Sequence, residues 1–245
     1  MTKQLNLTLR HQEPRTTGRA GWRVIEHAVT WEPATTSIIV VDMWDQHWSW
    51  GASERANMLA PRINTVIGAA RRRGVHIVHA PSDVIDFYQD HPARRNTLAV
   101  PQLPLPALAE HLDLPLPIDD KDGGSDTGET DSRAVWTRQH SAIEIWDSDS
   151  ISANDQEILS LLHTRQITQL LYMGVHLNMC VLHRPFGIKR LTRWGFTVAL
   201  ARDLTDTMYN PARPPYVSHD EGTQLVVGYV EKFWCPTFSG DDLTV

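Results

Sequence analysis

Short apolar runs alternate with amphipathic stretches along most of the chain. Ser37 to Asp42, SIIVVD, holds four consecutive β-branched residues and ends in an acid. A run of this kind suits a parallel strand buried on both faces. Val75 to His79, Leu170 to Met173 and Phe196 to Leu200 read the same way. Between them lie helical patterns. Glu54 to Arg73 puts Leu59, Ile63, Val66 and Ile67 on one face, and Gly74 ends it. Ala153 to Thr164 carries Ile158, Leu159, Leu161 and Leu162, and Gly222 to Trp234 reads as a last helix. The first strand, helix and second strand predict a right-handed crossover and a parallel pair. The alternation as a whole predicts one α/β domain, with a doubly wound, mostly parallel sheet between two helical layers.

Two regions break the pattern. In residues 1–36, Leu5, Leu7 and Leu9 alternate as in a strand, and Trp22, Val24 and Glu26 suggest a second, with GRAG between them. This predicts an extended arm or hairpin packed on a main domain of residues 37–245. Residues 83–133 form an excursion, rich in proline and leucine over 101–118 and closing on DDKDGGSDTGETD. Its carboxylates do not follow EF-hand spacing, which predicts a solvated loop rather than a calcium site. A short strand is expected at Ala134 to Trp136.

Composition narrows the function classes. The net charge of −6 argues against a protein that grips a nucleic-acid backbone. Two cysteines, Cys180 and Cys235, make neither a disulfide scaffold nor a zinc site. No run approaches a membrane span, and the first residues hold no apolar signal-peptide core. These features predict a protein of the reducing cytoplasm.

The stretch QLLYMGVHLNMCVL, residues 169–182, carries the chemistry. It reads as a buried strand, a turn at Gly174, an N-cap at Asn178 and the first turn of a helix holding Cys180. A thiol there meets unpaired N–H groups and the positive end of a helix dipole, which favours the thiolate. A small buried cysteine is the plainer reading of the same residue. Ligands of open α/β sheets bind beyond the carboxyl ends of the strands, so Asp42 and Cys180 are expected to meet there. Asp42 would serve as base, Arg138 as a nearby cation, and the Cys180 N–H as part of an oxyanion hole. An Asp–Arg ion pair beside an inert cysteine would leave the same sequence.

Ile39 to Met43, followed by Met173 to Val181, resembles the isochorismatase-like cysteine hydrolases. The resemblance spans about Ser37 to Asp206. It implies their three-layer fold and an Asp–Lys–Cys triad, with Asp42 as the acid and Cys180 as the nucleophile. No lysine stands in the matching region, and Arg138 is the best match there. The resemblance also implies a cis peptide at Val175–His176, which would aim the His176 N–H into the oxyanion hole. The metal pattern of nicotinamidases is broken: Asp83 falls near the acid position, but Ile85 stands where a histidine is needed. No catalytic metal and no cofactor are therefore expected. Family members form oligomers, which implies a homo-oligomer here.

The loop after Asp42 adds Trp44, His47, Trp48 and Trp50, a possible aromatic wall for a flat substrate. Packing of the arm and loops explains these tryptophans equally well. Trp44, His47, Trp48, Asp83, Gln139 and Asn178 are taken as candidate substrate contacts. Asp203, Asp206 and Tyr209 follow a strand end and lie within reach. Cys235 reads as a bystander. The expected activity is hydrolysis of an amide or ureide C–N bond through a covalent Cys180 intermediate. A vinyl-ether hydrolase of isochorismatase type and a non-catalytic binding or assembly protein are the alternatives.

Overall fold

The computed structural model describes residues 4–244, so the first three residues of the predicted arm lie outside it. In chain order the elements are β1 (Leu5–Pro14), β2 (Trp22–Trp31), β3 (Thr36–Val41), α1 (Trp50–Arg73), β4 (His76–Ala80), α2 (Pro92–Leu98) and β5 (Ser150–Ile151). Then follow α3 (Asp155–Thr164), β6 (Gln169–Val175), α4 (Ile188–Arg193), β7 (Thr197–Asp206), α5 (His219–Phe233) and β8 (Thr237–Phe238). The strands form one sheet of order β2-β1-β8-β7-β6-β3-β4-β5. Strands β3 to β8 pair in parallel, and the β1–β2 hairpin joins antiparallel at the β8 edge.

The apolar runs are continuous because the central strands are covered on both sides. In β3, Ile39 and Val41 face one core with Leu170 and Tyr172 of β6. That core holds Ile158, Leu162, Leu191 and Val230 from the helices on its side, and Phe186 from the turn before α4. Ile38 and Val40 face the other core with Leu171 and Met173. There they meet Ala60, Ile63 and Ile67 of α1 and the alternating Leu5, Leu7 and Leu9 of β1. This period-two division between two helix-covered faces is the three-layer α/β/α arrangement.

Two features carry the fold toward its active end. The order of strand addition reverses between β6 and β3: β3 leads outward to β4 and β5, and β6 leads the other way to β7. The crevice beyond these two carboxyl ends is where open α/β sheets hold ligands. The strands also close in tightly there. A Cβ on Gly174, whose φ is +117°, would lie 2.1 Å from the Val41 carbonyl oxygen. Only glycine fits both that backbone and that approach. Helix α1 begins at Trp50 under an Ser49 cap, four residues before the periodicity alone suggested. The strand expected at Ala134 to Trp136 is absent. An isolated bridge between Trp44 and Gln139 is the local pairing.

Candidate active site

Asp42 follows the last residue of β3, fully buried, with a left-handed φ of +43°. Its carboxylate accepts two hydrogen bonds, from the Ser82 N–H at 2.7 Å to Oδ1 and from Arg184 Nε at 2.9 Å to Oδ2, and the Cys180 thiol lies beside it. Burial raises the Asp42 pKa, and Arg184 is the largest influence pulling it back down. Asp83, also left-handed at φ +67°, lies 3.2 Å from Arg184 Nη2 through Oδ2. The guanidinium thus bridges a buried and a half-exposed carboxylate. Burial works against its charge, but Asp42 beside it prevails, and its pKa goes up. Backbone in this region is uncommon for non-glycine residues, and it concentrates at functional sites.

Arg184 replaces Arg138 as the cation of this group. Cys180 and Arg184 are four residues apart, and the Arg184 N–H bonds the Cys180 carbonyl at 3.0 Å. One helical turn therefore presents both side chains on the same face, toward Asp42. Arg138 points elsewhere. Asp45 fixes its segment by accepting from the Thr137 and Arg138 N–H groups. Gln139, next in the chain, is buried, and the Arg138 side chain is turned out at 52% exposure. It stands 4.0 Å from Asp45 and 5.9 Å from the Phe87 ring.

The turn that holds Cys180 is not the start of an ordinary α-helix. Val175–His176 is a cis peptide, and residues 177–181 form a π-helical turn. Met179 and Val181 donate to the His176 carbonyl at 3.0 and 3.1 Å, and Cys180 between them makes neither bond. The His176 N–H lies near the Cys180 sulfur. Asn178 is not the cap. It lies inside the turn, fully buried, accepting from the Met208 N–H and donating to the Met208 carbonyl and Asp120. Its amide is spent on fastening the turn to the segment after β7, which leaves it no hydrogen for a substrate.

The thiol does not rest as a thiolate. Burial, then the Asp42 charge, push it up to about 12 against the opposing pull of Arg184. A helix dipole contributes about 0.3 to 1 kcal/mol. Moving a thiol from its ordinary value to about 12 corresponds to roughly 4 kcal/mol. The dipole loses, and Cys180 keeps its proton beside Asp42. Cys235 is buried away from this group, also pushed up by burial.

An aromatic wall stands beside the turn, built differently from the one expected. Trp44 is buried, donates to the Ser82 carbonyl at 3.0 Å and stacks on Trp136 at 4.1 Å. His47 stacks on Trp136 at 5.7 Å, tilts against Trp48 at 5.2 Å and meets the His176 ring edge-on at 4.9 Å. Trp50 is 63% exposed on α1 and takes no part. Burial lowers His47 to about 4 and His176 to about 3, so both rings are neutral near pH 7. Gln139 supports the wall from behind, its carbonyl on His79 Nδ1 and its N–H on Ile143. His79 in turn binds Asp149, which Arg71 holds. Gln139 is thus a supporting residue rather than a substrate contact.

The acidic loop is only partly solvated, because four of its carboxylates are tied to distant residues. Asp119 pairs with Arg213, Asp120 with Asn178, Asp122 with Asn210 and Asp126 with Arg55. Gly123 packs on Trp48, and a Cβ on Gly124 would lie 2.3 Å from the Met208 carbonyl oxygen. Asp206, at the end of β7, joins Arg55 and His219 at 2.8 Å each and is held at about 2 by them despite its burial. Asp203 instead pairs with exposed Arg62, and Tyr209 is core. Among the described residues no group of three His, Cys, Asp or Glu is placed to hold a metal ion. Also among them, no helix is long and apolar enough to cross a membrane.

No family model and no curated protein matches the sequence. Solved structures do match the fold. A cysteine hydrolase from Pseudomonas syringae pv. phaseolicola 1448A aligns with a TM-score of 0.55 at 15% identity, over 86% of this chain and 92% of that one. A putative isochorismatase from Burkholderia xenovorans LB400 gives 0.52 at 17%, over 87% and 86%. An isochorismatase from Pseudomonas putida KT2440 gives 0.52 at 12%, over 86% and 90%. The chain has the isochorismatase-like hydrolase fold.

Proposed function

We propose that this chain is a small-molecule hydrolase that works through a covalent intermediate on Cys180. The observation that carries the reading is the buried carboxylate of Asp42, which accepts from the Ser82 N–H and the Arg184 guanidinium with the Cys180 thiol beside it. The thiol proton passes to Asp42 as sulfur attacks the substrate carbonyl carbon. The carbonyl oxygen becomes an oxyanion, held by the N–H groups of His176 and Cys180. Collapse breaks the C–N bond, and Asp42 gives the proton to the departing nitrogen. Water then attacks the thioester, losing its proton to Asp42, and the acid leaves as the thiol is restored. Arg184 keeps a fixed positive charge beside Asp42 throughout and gives up no proton. The bond we assign is an amide or ureide C–N bond, the class the sequence motifs imply.

The experiment is a screen of primary amides, ureides and carbamates for ammonia release by the wild type, Cys180→Ala and Asp42→Asn. Release by the wild type that both substitutions abolish supports the assignment. Release that survives Cys180→Ala contradicts it. Cleavage of vinyl ethers without release of a nitrogen product would move the assignment to the isochorismatase type.

A further inference from the structure

Beyond the reacting atoms, two buried polar atoms near the thiol have no partner among the described residues. One is Nε2 of His176, a residue only 2% exposed, and the other is the indole Nε1 of Trp136. Both rings touch His47, and His47, Trp48, Trp136 and Cys180 are all partly exposed. An unpaired buried polar group is a standing cost that a bound polar atom removes. The His47 ring cannot supply that atom through Nδ1, because Nδ1 accepts from the Ser49 N–H.

Charge is the second half of the argument. Arg184 is taken up by Asp42 and Asp83, and Arg55 by Asp126 and Asp206. Arg138 is turned out toward Asp45 and Phe87. The wall itself consists of indoles and imidazoles. A substrate carboxylate would therefore meet the Asp42 and Asp83 charges, with the Arg184 and Arg55 guanidinium groups already paired.

We propose that His176 and Trp136 determine specificity, and that they select an uncharged planar substrate which stacks on the wall. The substrate offers an acceptor to the Trp136 N–H and a hydrogen-bonding partner to His176 Nε2. This deepens the hydrolase reading and rests on it for the place where substrate is held.

The test separates recognition from chemistry. Binding is measured by calorimetry on Cys180→Ala with benzamide, phenylurea, benzoate and 4-carbamoylbenzoate. Ammonia release from the two uncharged probes and from 4-carbamoylbenzoate is measured on the protein with Cys180 intact. We expect benzamide or phenylurea to bind at least 10-fold tighter than either carboxylate. Adding His176→Phe or Trp136→Phe should weaken that binding by about 10-fold, the size of one lost neutral hydrogen bond. In the Cys180-intact protein the same substitutions should raise KM more than they lower kcat. His176→Asn and Trp136→Tyr stand in for any variant that fails to fold, and the asparagine should restore part of the loss. Equal or tighter binding of the carboxylates overturns the proposal. So does the absence of binding by all four probes, or unchanged binding in both variants. Binding as expected without ammonia release would instead contradict the hydrolase reading and leave the specificity assignment standing.

Discussion

Arg184 Nε lies 2.9 Å from Asp42 Oδ2, and the same arginine donates its backbone N–H to the Cys180 carbonyl. The cation beside the proposed base is therefore built on the turn that carries the proposed nucleophile. Its removal should be costly, because a buried carboxylate left without its cation loses several kcal/mol of compensation. We predict that Arg184→Met lowers kcat/KM by about 100-fold or more. Arg184→Lys should recover part of this, since it keeps the charge but not the fork. Arg138→Ala should stay within about 3-fold of wild type, as expected for an exposed side chain. Steady-state kinetics on the three variants decide it. A larger loss at Arg138 than at Arg184 would reverse the assignment.

The resting thiol gives a second prediction. Burial and then Asp42 push Cys180 up to about 12. Alkylation by iodoacetamide should therefore rise steadily through the alkaline range, with no plateau between pH 5 and 8. Asp42→Asn removes both the charge and the acceptor that oppose the thiolate. It should make Cys180 titrate lower and alkylate faster at pH 8, while abolishing turnover. Arg184→Met should act in the opposite direction on the thiol. Peptide mass spectrometry after timed labelling reads these effects. A wild-type plateau near neutral pH would mean that the thiolate is already formed.

Stability should fall with acid. His47 is lowered to about 4 and His176 to about 3. Both stay neutral in the folded chain while the unfolded chain takes up protons below about pH 6.5. Each thus costs stability as pH drops below that value, about 2 kcal/mol at pH 5. Asp206, held at about 2, contributes stability that is full above the ordinary carboxylate range and is lost as pH falls toward 2. His219 runs the other way: Asp206 raises its pKa, so its contribution is complete below about pH 6.5 and declines as pH rises through the raised value. Urea unfolding at pH 7 and pH 5 measures the sum. His47→Gln combined with His176→Gln should flatten the loss, and an unchanged slope would contradict the buried neutral state.

Gly174 offers a purely steric prediction. A methyl group there would press on the Val41 carbonyl oxygen at 2.1 Å, on a backbone with φ +117°. Gly174→Ala should cost about 3 kcal/mol or more. Gly195→Ala also has a positive φ, +88°, but nothing within 4 Å, and should cost only about 1 kcal/mol. Thermal melts of the two variants compare strain alone with strain plus collision.

What could be read from the sequence follows from which physics is local. Ile38 to Val41 and Leu170 to Met173 announce themselves because a strand covered on both faces needs apolar residues at every position. Asp42 and Cys180 were legible as a pair because both follow such strands. Arg184 was also within reach: it stands four residues after Cys180, the spacing that shares a helix face. Arg138 misled because its segment has no regular structure, so its direction depends on Asp45, 93 residues away. Trp136 was hidden for the same reason, since its place in the wall is set by stacking on Trp44. Asn178 looks like a cap in sequence, but the π-helical turn moves it inside, where Met208 takes its amide. The acidic loop reads as solvated because charge runs usually are. Its partners Arg55, Asn178, Asn210 and Arg213 come from distant parts of the chain.

The central claim is that Cys180 forms the covalent bond and Asp42 with Arg184 makes that possible. The direct measurement is intact-protein and peptide mass spectrometry after mixing with p-nitrophenyl acetate and quenching in acid within seconds. The account predicts an acetyl group on Cys180 in the wild type, none on Cys235, and a strongly reduced yield in Arg184→Met. An acetyl group found elsewhere, or an equal yield on Cys180 in Arg184→Met, would contradict it.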